Sequence, residues 1–429
     1  MSTVSSTSSR RYAFAITPFC KSITTSAVLG RSTNVVMVNS VCAKNASYSV
    51  ATLRTAALAF TLSRFGPSGP PFPANNRSMS LHASSPVAPG RIGTLIRDAY
   101  PGYFAMIMAT GIVSNSAGAL GFGVLSDFLF ALNVFLFPLL LIVLAARALH
   151  YRAALWRDLT DPKLVFSFFT VVAAADVFGI QCFLRGFTTA ALALWLFALA
   201  AWIFLSYFSF SVLMFINTRR GADIVHGGWL IAIVGTESLT VLGAMLAPRF
   251  GPELSAVIFV GAHMLWGVGV VLYGIFITLF SHRLFFLRVD ASDVTPLLWV
   301  VMGASAIGAN AGSMLILSNP PMPFLLAMRP FVDGTTLILW AWATWWTPLL
   351  VVLGFWKHVI RRVPITYHPM YWSLVFPLGM YTLTTYRLSL ATDFPPLQWI
   401  PRVMLWVAVA AWALTFVAAL RANVRRPAR

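Results

Sequence analysis

The chain has 429 residues, of which 59% are hydrophobic and only 10% are charged, and its mean hydropathy is +0.80. Soluble proteins carry about a quarter charged residues, so this composition excludes an ordinary soluble domain. The formal charge of +18 does not indicate nucleic-acid binding, because the basic residues lie in an acid-free N-terminal segment and in short loops between apolar segments.

The first hundred residues differ from the rest of the chain. They are rich in Ser, Thr and Arg, and the first acidic residue is Asp98. Three interpretations stay open: Met79 is the true start and the upstream residues are an artefact, the segment is an organellar transit peptide, or it is a disordered cytoplasmic tail. We predict an N-terminal extension over residues 1–100, a transmembrane domain over 101–421 and a basic cytoplasmic tail over 422–429.

Ten apolar segments follow, each close to the length of about 20 residues that crosses a bilayer. They are predicted at 103–121, 127–149, 165–184, 188–216, 228–247, 254–280, 296–317, 334–356, 370–391 and 399–420. Backbone polar groups within lipid must be satisfied internally, so we interpret the segments as helices. Short connections predict that consecutive helices pair as five antiparallel hairpins.

The ten segments alternate in composition. The odd-numbered segments are rich in Gly, Ala, Ser and Thr, and the even-numbered segments are rich in Trp, Phe and Leu. Small residues let backbones approach each other or line a narrow path, whereas bulky side chains suit a surface that faces lipid. We therefore predict an all-α integral membrane protein with an inner pore ring of five odd helices and an outer ring of five even helices, whose tryptophans face lipid.

The loops predict the orientation in the membrane. Clusters of Lys and Arg follow the second, fourth, sixth, eighth and tenth segments, and the opposite connections hold at most about one basic residue each. By the positive-inside rule both termini are cytoplasmic. An even number of spans requires both termini to lie on the same side, so the two inferences agree.

Ionisable groups inside the apolar segments are few. Asp176 lies in the third segment, Glu237 in the fifth and His263 in the sixth. Such groups mark proton relays or polar pathways, and they also occur as structural hydrogen-bonding groups between helices. Two ionised carboxylates would repel an anion, so the pattern fits either proton-coupled anion movement or two structural acids.

The ninth segment, MYWSLVFPLGMYTLTTYRLSL, carries the most specific pattern. Pro377 in mid-helix predicts a kink, and Gly379 adds flexibility. Leu383 and Arg387 each lie within about 20° of Phe376 on one helical face. This spacing suggests a ring that gates a path and an arginine that attracts anions near its outer mouth, although a packed Phe and an interfacial Arg would give the same spacing.

Neutral polar residues and glycines of the odd segments complete the predicted pore lining. The lining comprises Thr110, Gly111, Ser114, Asn115, Asp176, Gly179, Gly235, Glu237, Ser305, Gly308, Asn310, Ser313, Gly379 and Leu383. Neutral donors suit a weakly held anion, and small residues also serve close helix packing. With Arg387, Arg185 forms a predicted basic outer vestibule.

Three motifs together resemble a known family. YFAMIMATGIVS in the first segment, GGWLIAIVGTESL in the fifth and WSLVFPLGMY in the ninth are similar to the tellurite-resistance/C4-dicarboxylate transporter family. That family also includes fungal malate permeases, fungal sulfite efflux pumps and the plant guard-cell slow anion channels. The resemblance covers residues from about 97 to 421.

The resemblance implies five helical hairpins around a pore, a homotrimer with one pore in each subunit, and a phenylalanine on the ninth helix that occludes the pore. Phe376 matches that phenylalanine. Plant members carry proline in several inner helices, whereas here only Pro377 does so, and Gly111, Gly179, Gly235 and Gly308 stand at comparable depths.

We therefore predict transport of small anions such as malate, tellurite or sulfite across the plasma or inner membrane, without cofactor or metal and with protons as a candidate second substrate. The alternatives are an intramembrane enzyme that uses Asp176, Glu237 and His263, and a membrane sensor that transports nothing. The enzyme alternative finds no support in an HExxH or GxSxG motif.

Overall fold

The computed structural model describes residues 90–217 and 225–424. The residues before 90, with Met79, and the last five residues of the predicted tail lie outside the described residues. Within the described ranges the chain folds into helices and turns, with no β-strand.

The described part contains twelve α-helices, several preceded by a single 3₁₀ turn. They are α1 (Arg91–Arg97), α2 (Ala105–Ala119), α3 (Gly123–His150), α4 (Arg152–Leu159), α5 (Phe169–Leu184), α6 (Thr188–Ser211), α7 (Ile231–Leu246), α8 (Pro252–Phe286), α9 (Val300–Ser318), α10 (Pro323–Phe355), α11 (Trp372–Ala391) and α12 (Trp399–Val424). Each of the ten predicted segments contains one long helix, and α1 and α4 are short additions.

Eight of the long helices are long and apolar enough to cross a membrane. The other two, α2 and α11, occupy the first and ninth predicted segments but are more polar. Helix α2 carries the sequence TGIVSNS, and α11 carries TLTTYRLS. The expectation of an all-α membrane protein is confirmed, and the two long helices outside this group of eight are among those that carry the most specific motifs.

One helix begins well before its predicted segment. We expected the eighth segment to begin at residue 334, but α10 begins at Pro323. The residues just before 334, with Arg329, were expected to belong to the preceding connection. In the structure Arg329 and Asp333 instead form an ion pair of 3.8 Å within the helix, and Pro330 removes one backbone donor without ending it.

Burial alternates along the chain. In the apolar windows of α5, α7 and α9, 94%, 94% and 89% of residues are buried, against 17–33% in α3, α6, α8, α10 and α12. Twelve of the 15 residues of α2 and 16 of the 20 residues of α11 are buried as well. We call α2, α5, α7, α9 and α11 the buried helices, and α3, α6, α8, α10 and α12 the peripheral helices.

The buried helices contact one another in chain order, and the last of them, α11, contacts the first, α2. Each peripheral helix also packs on the buried helix that precedes it. Glycine allows the closest approaches: a Cβ atom on Gly303 of α9 would lie 2.7 Å from the Pro377 ring of α11, and one on Gly379 would lie 2.8 Å from Ile112 of α2. Small residues therefore set the spacing of the buried helices.

Tryptophans on the peripheral helices donate hydrogen bonds to the buried helices. The indole of Trp202 donates to the Thr236 hydroxyl at 2.8 Å, and that of Trp412 donates to the Thr110 hydroxyl at 3.0 Å. The Trp266 indole donates to the Gly308 carbonyl at 3.1 Å. The prediction that the tryptophans of even segments face lipid is wrong for Trp266, Trp346 and Trp412, which are 2%, 0% and 8% exposed.

We predict that Trp412→Phe lowers the free energy of unfolding by about 1 kcal/mol, because it removes one buried hydrogen bond. The matching control is Trp406→Phe on the same helix, since Trp406 is 52% exposed. Thermal denaturation of the two purified variants in detergent measures the difference. Equal melting temperatures would show that the indole hydrogen bond adds no stability.

Two histidines cap the 3₁₀ turns that lead into buried helices, and the sequence reasoning missed both. Nδ1 of His226 accepts a hydrogen bond from the Gly228 backbone N–H at 3.0 Å before α7. Nδ1 of His368 accepts one from the Met370 N–H at 3.2 Å before α11. Nε2 of His226 lies 2.9 Å from the Lys163 carbonyl, so this ring is held in its neutral form with Nε2 as the donor.

Burial lowers the pKa of His226 to about 4, below its ordinary value of 6.5. Between these two values the unfolded chain binds more protons than the folded chain, so stability falls as the pH drops from 6.5 towards 4. We predict that His226→Asn, which can cap without titrating, flattens the fall in melting temperature between pH 7 and pH 4.5. Exposed His150 replaced by Asn is the control, and an unchanged pH profile in His226→Asn would contradict the prediction.

Candidate functional site

The face of α11 that carries Phe376 is identified by what the other faces touch. Towards α9, Pro377 packs on Gly303 and the Thr384 hydroxyl donates to the Ala306 carbonyl at 2.8 Å. Pro377 and Thr384 therefore lie on the side of α11 that faces α9.

Two further faces of α11 are also occupied. Towards α2, the Gly379 carbonyl accepts a hydrogen bond of 3.0 Å from the Ser116 hydroxyl. Towards the periphery, Tyr381 shares a hydrogen bond of 2.8 Å with Thr344 of α10. The Thr385 hydroxyl accepts a hydrogen bond of 3.0 Å from the Trp340 indole of the same helix α10.

The sector of α11 opposite these α10 contacts faces away from the periphery, and we call the corresponding sector of each buried helix its inward face. At about 100° per residue, the inward face of α11 carries Phe376, Met380, Leu383 and Arg387. All four are buried, with Phe376 and Leu383 2% exposed. The sequence spacing that grouped Phe376, Leu383 and Arg387 thus corresponds to one sector of the folded helix.

Helix α2 presents different residues to its neighbours. The Thr110 hydroxyl accepts a hydrogen bond from the Trp412 indole of α12. The Ser114 hydroxyl donates a hydrogen bond of 2.7 Å to the Ser126 carbonyl of α3. Gly111 packs so closely on Val177 of α5 that a Cβ atom would lie 2.5 Å from it. The two hydroxyls therefore face the periphery and Gly111 faces α5.

The inward face of α2 carries Met108, Ile112 and Asn115. Asn115 is 2% exposed, and neither its amide nitrogen nor its amide oxygen has a hydrogen-bond partner within the described ranges. It was one of several polar residues in the first segment, and periodicity alone did not separate it from Thr110 and Ser114.

Asp176 lies where α5 meets α7. Its Oδ2 accepts a hydrogen bond of 2.7 Å from the Ser238 hydroxyl, and its Oδ1 has no partner among the described residues. Gly179 and Gly235 serve the same helix contact, since added Cβ atoms would lie 2.5 Å from Leu242 and 3.3 Å from Phe169 respectively.

Glu237 is turned further towards the periphery than Asp176. Its carboxyl packs against Gly269 of α8. Its Oε1 also lies near Gly308 of α9, 3.7 Å from the position that an added Cβ atom would occupy. Neither carboxyl oxygen has a hydrogen-bond partner in the described part of the chain. The carboxyl thus faces the junction of α7, α8 and α9 instead of the inward face.

His263, the third residue of the enzyme hypothesis, lies on peripheral helix α8. Its Nδ1 is 2.7 Å from the Phe259 carbonyl of its own helix. No hydrogen bond joins any two of Asp176, Glu237 and His263 among the described residues. The structure does not bring these three together as an acid, a base and an orienting group would require.

The two arginines of the predicted vestibule differ in their surroundings. Arg185 forms an ion pair of 2.7 Å with Asp127, donates to the Ser126 hydroxyl at 2.9 Å and lies 4.2 Å from the Phe130 ring centre. Arg387 donates to Oδ1 of Asn310 at 3.1 Å and forms no ion pair within the described ranges.

By the same helical count, the inward faces of the other buried helices carry apolar residues. These include Met108, Ala173, Val234 and Ile307, each at most 3% exposed. No cluster of three or more potential metal ligands occurs in the described part of the chain.

The chain is similar to known proteins over most of its length. The model of a family described as voltage-dependent anion channel, SLAC1, matches residues 99–420. An uncharacterized membrane protein of Mycobacterium tuberculosis is 41% identical over 138 residues, which cover 32% of this chain and 70% of that protein.

Two uncharacterized transporters of Methanocaldococcus jannaschii match most of the chain. One is 23% identical over 337 residues, covering 75% of this chain and 93% of its own length, and the other is 24% identical over 321 residues, covering 73% and 92%. The family resemblance of the three sequence motifs is confirmed. The chain belongs to the voltage-dependent anion channel family, and this membership indicates a membrane transporter or channel rather than an enzyme.

Proposed function

We propose that the five buried helices form a ring around a permeation path for small anions and that Phe376 is its gate. The observation that carries the proposal is the position of Phe376: it is buried on the inward face of α11, beside the mid-helix Pro377, in a chain of an anion channel family. The peripheral helices then form the outer ring and face lipid.

In this proposal, the apolar side chains of the inward faces close the path around Phe376. An anion that enters a dry apolar constriction loses its hydration and gains no hydrogen bonds in return. Phe376 is the largest of these side chains, so rotation of its ring frees the most space. Pro377 leaves the Ser373 carbonyl without its usual helical donor, and Gly379 adds local backbone freedom, so both allow α11 to adjust around the gate.

The polar part of the proposed path lies beyond the gate. Leu383, Asn310 and Arg387 lie towards the outer end, and Arg185 lies at the start of the connection between α5 and α6. Because Asp127 pairs with Arg185, we assign Arg387 the larger part in anion attraction. Thr110, Gly111, Ser114, Gly179, Gly235 and Gly308 support the path by fixing the spacing of the helices around it.

The proposal includes the finer expectations from the sequence. Both termini are cytoplasmic in the plasma or inner membrane, the assembly is a homotrimer with one path in each subunit, and the substrates are C4-dicarboxylates such as malate, or tellurite or sulfite. Asp176 and Glu237 are the candidates for a coupled proton, since three of their four carboxyl oxygens have no partner among the described residues.

We predict that Phe376→Ala raises anion flux in liposomes about tenfold, which corresponds to a barrier lower by about 1.4 kcal/mol. The physical reason is that the widest side chain of the apolar constriction is removed. Flux of a panel of anions is measured with and without an imposed pH difference, and the pH difference distinguishes a channel from a proton-coupled carrier.

The matched control is Phe259→Ala, because Phe259 has the same 2% exposure as Phe376 but lies on peripheral helix α8. It removes an equal volume outside the proposed path and should leave flux unchanged. Unchanged or lower flux in well-folded Phe376→Ala protein would contradict the gate.

A further inference from the structure

Arg387 is a buried cation without a buried counter-charge. It is the one Lys or Arg within the five buried helices, all of which lie in the described ranges, and it is 9% exposed. It forms no ion pair there, and the side-chain partner of its guanidinium is the neutral amide of Asn310. A buried unpaired guanidinium is costly, so the arrangement calls for a negative charge from outside the chain.

The position of Arg387 indicates where in the molecule such a negative charge would bind. Arg387 shares the inward face of α11 with Phe376 and Leu383, and it follows Phe376 by eleven residues, or roughly 16 Å along the helix. Side chains on a helix lean towards its N-terminus, so the guanidinium points back towards Leu383. It therefore lies between the apolar constriction and the outer end of α11.

Asn115 supplies a second unused polar group on the facing helix. Its amide is buried, has no partner among the described residues, and lies on the inward face of α2. The neighbouring Ser116 donates to the Gly379 carbonyl, which places Asn115 near the level of Gly379 to Leu383 on α11. The Asn115 amide and the Arg387 guanidinium thus enter the same stretch of the interior from two helices.

We propose that Arg387, oriented by Asn310, and Asn115 bind one carboxylate or small oxyanion on the outer side of Phe376. The bound anion supplies the missing negative charge, and the Asn115 amide donates a further hydrogen bond to it. The inference rests on the proposed anion path and names a binding site within it.

The chemistry of the donors selects the class of anion. A guanidinium offers a planar pair of N–H donors that matches two oxygens of one carboxylate or oxyanion. A halide is a single acceptor and does not use both donors in that geometry. We therefore expect the site to prefer succinate or sulfite over chloride.

The test is anion binding to the purified full-length protein in detergent. The melting temperature is recorded while sodium succinate, sodium sulfite or sodium chloride is added at constant ionic strength, because a ligand that binds the folded state raises it. The wild-type protein should show saturable stabilisation by succinate or sulfite, with at least about tenfold weaker apparent affinity for chloride.

Variants assign the effect to the site. Arg387→Gln should abolish the stabilisation, Arg387→Lys should weaken apparent affinity about tenfold because the planar fork is lost, and Asn115→Ala should weaken it by a similar factor. The control is Arg329→Gln, since Arg329 is an exposed arginine on peripheral helix α10 that already pairs with Asp333. If Arg387→Gln does not fold, Arg387→Lys and Asn310→Ala take its place.

The proposal is overturned if succinate and sulfite do not stabilise the wild-type protein, if chloride stabilises it equally well, or if the Arg387 variants bind as the wild type does. Parallel flux measurements with Phe376→Ala separate this failure from failure of the path. Raised flux without oxyanion binding would reject the site and keep the gate, whereas unchanged flux in Phe376→Ala would reject the gate on its own.

Discussion

Close contact among the five buried helices is the constraint on which the rest of the structure depends. Two glycines make the point: Gly303 meets the Pro377 ring, and Gly379 meets Ile112, at distances that leave no room for a Cβ atom. A side chain at either position would push α11 away from its neighbours. The inward faces would then separate, and the apolar constriction around Phe376 would no longer close.

Hydrogen bonds from the periphery complete this constraint and decide which polar groups remain free. The hydroxyls of Thr110, Thr236 and Thr385 accept from indoles of peripheral helices. Because these hydroxyls are used between helices, the inward faces keep few polar groups. Asn115 and Arg387 stand out on those faces, because Asn115 has no hydrogen-bond partner among the described residues and Arg387 has only the neutral amide of Asn310.

The sequence predicted much of the fold for clear physical reasons. Length and hydropathy located ten helical segments, and the contrast of small with bulky residues predicted which helices are buried. The helical period placed Phe376, Leu383 and Arg387 together, because one residue pattern on one regular helix fixes the angle between them.

The rotation of each helix about its axis could not be predicted in this way. Thr110 and Asn115 lie five residues apart in one polar motif. Thr110 accepts a hydrogen bond from Trp412 of α12, whereas Asn115 lies on the inward face and has no partner among the described residues. Glu237 likewise lies in a polar motif, but its carboxyl packs on Gly269 of a peripheral helix. These orientations depend on partners from distant parts of the chain, which composition and spacing do not specify.

Burial of charge was also beyond the sequence reasoning. Arg185 and Arg387 looked equivalent as basic residues near the ends of odd segments, but only Arg185 has an acidic partner, Asp127, within the described ranges. The difference separates a structural ion pair from an uncompensated cation, and it moves the expected anion contact from an exposed mouth into the interior.

The central claim is that the inward faces line a path that anions use, and cysteine accessibility in liposomes tests it most directly. In a cysteine-free background that carries Phe376→Ala, Leu383→Cys is treated with a small anionic thiol reagent and compared with Thr236→Cys, whose hydroxyl normally bonds to Trp202. The account predicts that Leu383→Cys is modified and that modification blocks anion flux, while Thr236→Cys stays unmodified. The account would be contradicted if the reagent modified Thr236→Cys and left Leu383→Cys unmodified.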